Sequence, residues 1–110
     1  MDLRHLLSYG NYIVVNKPLI KQIGLEETIL LGELCNESLY WENCGSLDSD
    51  GYFFSTQNNI EENLQISPKR QRVLLNKLQD LGLISVKVKG CPPKRYIKIN
   101  NENLVKLIVK

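Results

Sequence analysis

The segment "SPKRQRVLLNKLQDLGLISVKVKGCPPKRYIKIN" (67–100) constrains the fold most. Ser67 is a good helix N-cap, and Pro68 suits the first helical position because its missing N–H is not needed there. Gly82 can take the left-handed position that ends such a helix. Between them Leu74, Leu75, Leu78 and Leu81 recur at spacings of three and four, which predicts a helix over 67–81 with those leucines as its core face. Lys69, Arg70, Arg72, Val73, Asn76 and Lys77 fall on the other side. "LISVKVKG" (83–90) and "KRYIKIN" (94–100) then alternate apolar and polar residues around "GCPP". That pattern predicts a half-buried hairpin with a proline turn.

Upstream elements can be read in the same way. "NYIVVN" (11–16) is β-prone and reads as a strand or extended arm. Asn16 can cap a short helix that carries Pro18 in its first turn and ends at Gly24. "LEETILLGELCNESLYW" (25–41) follows as a longer helix. Its apolar stripe is broad enough to suggest burial on more than one side, partly against another subunit. "NCGSLDSDG" (43–51) reads as a loop, and "YFFST" (52–56) as a short strand. Thr56 can cap a helix over 57–63. Asn101 can cap a last short helix, "ENLVKLIVK".

The order is strand, helix, three-residue turn "QIS", helix, hairpin. A helix-turn-helix needs such a turn so that the first helix braces the second across a groove. A basic hairpin after the second helix is a wing. The expected class is α+β, mainly α: a winged helix-turn-helix with an N-terminal arm and helical extension and a short C-terminal helix. One domain over 1–110 is expected, with 1–50 as arm and helices, 51–100 as the winged core and 101–110 as the closing helix.

Charge adds the functional hint. Residues 1–66 hold three cations against ten acids, a net of −7. Residues 67–98 hold nine Lys and Arg against Asp80, a net of +8. Such a dipolar chain is suited to meeting a polyanion with one end. A helix fits the major groove of DNA with its N-terminal part nearest the base edges, and its free N–H groups attract phosphate. Arg70 and Arg72 can bond guanine in bidentate fashion, Asn76 can read adenine, and Val73 can touch a thymine methyl. Lys69 and Lys77 suit phosphates. Lys87, Lys89, Lys94, Arg95 and Lys98 line the hairpin, and Lys69, Arg70 and Arg72 are expected to face the same side as its lysines.

Other chemistries find little support. His5 is the one histidine and lies near the N-terminus, which argues against a Cys–His or Ser–His–Asp grouping. Glycines follow no phosphate-binding pattern. Cys35, Cys44 and Cys91 are odd in number and form no CxxC pair. They read as free thiols in a reducing cytosol rather than as a disulfide or metal site. No apolar run approaches the ~20 residues of a membrane helix, and the N-terminus lacks the pattern of a signal peptide. A cytoplasmic non-enzyme without cofactor or metal is expected.

"GYFFSTQNNIEENLQISPKRQRVLLNKLQDLGLI", followed by "KVKGCPPKRYIKIN", resembles the winged-helix N-terminal domain of replication initiator proteins. Plasmids, phages and integrative elements of Gram-positive bacteria carry these proteins. The chain is more distantly similar to the DnaD-type primosomal domain. The resemblance covers residues 51–100 most closely, and "GCPPKRYIKI" is its most specific part. It implies binding of double-stranded origin or operator DNA, as a homodimer, through Lys69, Arg70, Arg72, Asn76, Lys94 and Arg95. Ser67 is expected at the same interface, and replication proteins are expected as further partners. Gln65 departs from the glycine common in such turns, so a left-handed conformation there is expected to be mildly strained. Two alternatives stay open: a transcriptional regulator with the same contacts, and a protein-interaction module that works through the acidic half.

Overall fold

The computed structural model describes residues 4, 8–9, 12–13 and 15–108, with side chains at Arg4 and from residue 15 onward. His5 and parts of the 11–16 arm lie outside the described residues. Ser8–Tyr9 (β1) and Tyr12–Ile13 (β2) form an antiparallel pair. Lys17–Ile23 (α1) is capped by Asn16, whose side chain accepts the Leu19 N–H at 2.9 Å. Gly24 separates it from Leu25–Asn43 (α2) at φ 110°. That backbone conformation calls for glycine, and a side chain there would also displace the Glu27 carboxylate.

The fold is built around α2. Leu30, Leu31, Leu34 and Cys35 are fully buried, and Thr28, Gly32 and Ser38 are buried beside them. Helix α1, the sheet and the helix described below as α4 all pack on α2. The broad apolar stripe is therefore covered within the chain, and its breadth needs no second subunit. At the end of α2, Trp41 packs partly against the core, whereas Tyr40 is exposed.

The winged part follows the predicted order. Phe53–Phe54 (β3) leads to Gln57–Leu64 (α3), capped by Thr56 through the Asn59 N–H. Gln65 closes α3 at φ 58°, ψ 34°, the left-handed conformation expected of it. Its side-chain amide bonds back to the Glu61 and Glu62 carbonyls, which offsets part of the strain. Pro68–Asp80 (α4) starts where Ser67 and Pro68 predict, and Ser67 Oγ accepts the Arg70 N–H at 3.2 Å. Ile84–Lys89 (β4) and Lys94–Ile99 (β5) form the hairpin, and β3 adds to β5 to give the order β3-β5-β4, all antiparallel. Asn101–Ile108 (α5) closes the described chain. This is a winged-helix-type α+β fold, mainly helical.

Two local expectations are corrected. Leu81 is 46% exposed rather than in the core. The helix ends at Asp80 and the inward stripe is centred near Leu78, so Leu81 sits on its flank and Leu83, past the turn, is the next buried residue. Helix α5 is capped by Asn100, not Asn101, since Asn100 Oδ1 accepts the Asn103 N–H at 3.0 Å. One core, including Leu19, Leu34, Phe53, Ile60, Leu74, Leu78, Ile97 and Leu104, joins elements from α1 to α5.

Candidate nucleic-acid interface

Helix α4 presents three kinds of surface. Gln71, Leu74, Leu75 and Leu78 point inward. Arg70 and Lys77, seven residues apart, share one flank and are both engaged there. The Arg70 guanidinium meets the Glu26 carboxylate through Nε and Nη2, the shortest contact being 2.6 Å. The ion pair holds the Glu26 carboxyl below its ordinary range. Lys77 Nζ donates to Glu27 Oε2 at 2.6 Å and to the Ile23 carbonyl at 2.8 Å. Two of the predicted DNA-facing cations are thus tied to the corner between α1 and α2.

The third surface is uncommitted. Lys69, Arg72, Val73 and Asn76 are exposed, and the first, second and fourth make no side-chain hydrogen bond or ion pair with the described residues. Arg72 and Asn76 line a shallow hollow of about 180 Å³ together with Gln57, Val86 and Arg95. Arg95 is half-buried; its Nε donates to the Ser55 carbonyl at 3.3 Å. Burial lowers its affinity for a proton, opposed by the nearby Glu37 charge.

Strand register separates Arg95 from the other hairpin cations. Val88 pairs with Arg95, and Val86 with Ile97, on the face that covers the core. Lys87, Lys89, Lys94 and Lys98 occupy the alternate positions and therefore the opposite face. At the hairpin end the two faces meet, since Lys94 lines a hollow with Gln57, Val88 and Arg95. Lys87 and Lys89 do share one face, as alternation predicts.

A solved structure shares this fold. It is described as the "N-Terminal domain of DNA binding protein"; the likeness has a TM-score of 0.62 at 16% identity and covers 97% of this chain and 81% of that one. No protein-family model matches the chain, and no curated protein matches it. The likeness establishes the fold.

Two residues of structural weight were not singled out in the sequence. Gln71 is fully buried and donates to the Gln57 carbonyl at 3.1 Å and the Ile66 carbonyl at 2.8 Å. It ties α4 to the start of α3 and to the turn between them. A polar residue three and four positions before Leu74 and Leu75, on the apolar stripe, was the available signal. Glu37 is buried on α2, where burial and the Glu33 charge push its carboxyl up to about 7. The nearby Ser55 and Asn59 side chains and the Arg95 charge partly oppose that rise. Cys35 is a buried free thiol, whereas Cys44 and Cys91 are exposed free thiols. No described helix is long and apolar enough to cross a membrane, and no metal-ligand cluster occurs among the described residues.

Proposed function

We propose that this chain binds double-stranded DNA by laying the exposed face of α4 in the major groove. The observation that carries the reading is the uncommitted surface of Lys69, Arg72, Val73 and Asn76 at the start of a capped helix that follows a tight helix-turn-helix turn. Arg72 and Asn76 carry the donors suited to base edges, and Lys69 suits a phosphate. Arg95 adds a cation on the same side, while Arg70 and Lys77 contribute after exchanging their glutamates for phosphates. Lys89 and Lys94 pair next to the hairpin turn, where a wing can reach the flanking backbone. The fold's likeness to a domain of a DNA-binding protein supports this reading.

Within it, the resemblance of residues 51–100 supports the DNA-binding domain of a mobile-element or phage replication initiator, acting as a homodimer in the cytoplasm. A transcriptional regulator would make the same contacts at a different site.

Salt titration of duplex affinity is the test. With about five phosphates neutralised, log K should fall against log[salt] with a slope near −4 to −5. Arg72→Ala should weaken a selected site by about ten-fold and relax its sequence preference. Salt-insensitive binding, or unchanged affinity and preference in Arg72→Ala, would remove α4 from the role of reader. Sizing the protein alone and on DNA tests the dimer.

A further inference from the structure

The outer face of the wing sheet has a composition unlike a plain solvated surface. Phe54, Tyr96 and Lys87 stand in one row across the three strands, set by the pairings Phe54↔Tyr96 and Lys87↔Tyr96. The two rings are 5.9 Å apart at an interplanar angle of 50°. Lysines lie over these rings and over Tyr52. Lys87 Nζ is 4.0 Å from the Tyr52 centroid, Lys89 Nζ 4.7 Å from that of Tyr96, and Lys94 Nζ 5.7 Å from that of Phe54. Asp48 is the acid that meets this group, at 2.8 Å from Lys87 and 3.9 Å from Lys89.

Strand parity puts Tyr96 and Phe54 on the sheet face opposite Arg95, and base reading by Arg72 and Asn76 of α4 makes no use of their rings. A duplex also hides its base faces, so aromatic rings on this surface add nothing to backbone contact. A single strand offers both partners at once: unstacked bases for the rings and phosphates for the lysines. The ammonium groups now over the rings sit on flexible stems and can swing out to phosphates as bases take their place.

We propose that the outer face of the β3-β5-β4 sheet binds single-stranded nucleic acid, with Tyr96 and Phe54 as the stacking platform and Lys87, Lys89, Lys94 and Lys98 holding the backbone. The site uses none of the α4 residues and shares Lys89 and Lys94 with the wing's contact to the flanking backbone. Twelve-nucleotide oligo-dT and oligo-rU probes test it by fluorescence anisotropy at low salt, and the two probes distinguish DNA from RNA as the natural strand. Binding of either probe is expected. Tyr96→Leu keeps apolar bulk and should weaken that binding about ten-fold, whereas Tyr96→Phe should retain it. Duplex binding should be unchanged in both variants, and Arg72→Ala should spare the oligonucleotide while weakening the duplex. Circular dichroism confirms that each variant is folded. Failure of both probes to bind, equal binding by Tyr96→Leu, or loss of probe binding in Arg72→Ala would overturn the platform; the last result would assign the strand to α4.

Discussion

Glu37 shows what burial does to a single carboxyl. Its unfolded-chain value lies near the ordinary 4.5, and in the folded protein it rises to about 7. The native state therefore holds the proton more tightly, and its stabilising effect, complete below about pH 4.5, is lost as pH rises through 7. A shift of this size corresponds to about 3 kcal/mol. Urea unfolding at pH 5 and pH 8 should show the wild type losing up to about that amount relative to Glu37→Gln; a pH-independent difference would refute the assignment. Gln71 makes the complementary case. It is as buried as the leucines beside it, yet its amide nitrogen is spent on two backbone carbonyls. Hydrophobic spacing marks that position as inward but does not say which carbonyls will be waiting there.

At the scale of elements, α4 is defined by its ends. Ser67→Ala removes the side-chain acceptor for the Arg70 N–H and should cost about 1 kcal/mol in chemical denaturation, with Ser67→Asp retaining most of it. Glu26→Gln should free Arg70, leave the helix in place, and tighten duplex binding at fixed salt, because Arg70 no longer gives up a carboxylate to reach a phosphate. Unchanged affinity would mean that Arg70 takes no phosphate. The ends of α4 and the alternation of β4 and β5 were legible because caps, proline and period two are local signals. The pairings of Arg70 with Glu26 and Lys77 with Glu27 were not. They join residues 44 and 50 positions apart and depend on how α4 crosses α2. The direction of the lysine face was out of reach for a related reason. Alternation says that Lys87 and Lys89 point the same way, but only the pairing of β5 with β3 and the packing against α4 decide which way. At α5, neighbouring asparagines offered equally good caps; Asn100 takes the role because its N–H pairs with the Leu83 carbonyl as β5 ends.

For the whole molecule, the shared core leads to a prediction about cooperativity. We propose that residues 1–110 fold as one unit, because Phe53 from the winged part and Leu30 and Leu34 from α2 belong to the same buried cluster. Phe53→Ala should cost about 3–5 kcal/mol. It should move the thermal transitions seen by Trp41 fluorescence and by far-ultraviolet circular dichroism together; separated midpoints would show two units. The charge segregation legible in the sequence survives folding in a modified form. Acids of α2 neutralise one flank of α4, while its outer face and the far side of the sheet stay cationic. The bond from Gln71 to the turn has a consequence for how such a chain can change. It fixes the rotational phase of α4 from within, while Lys69, Arg72, Val73 and Asn76 take no part in holding the helix. Those four positions can be rewritten in combination without turning the axis that carries them, so the recognition surface and the scaffold can vary separately.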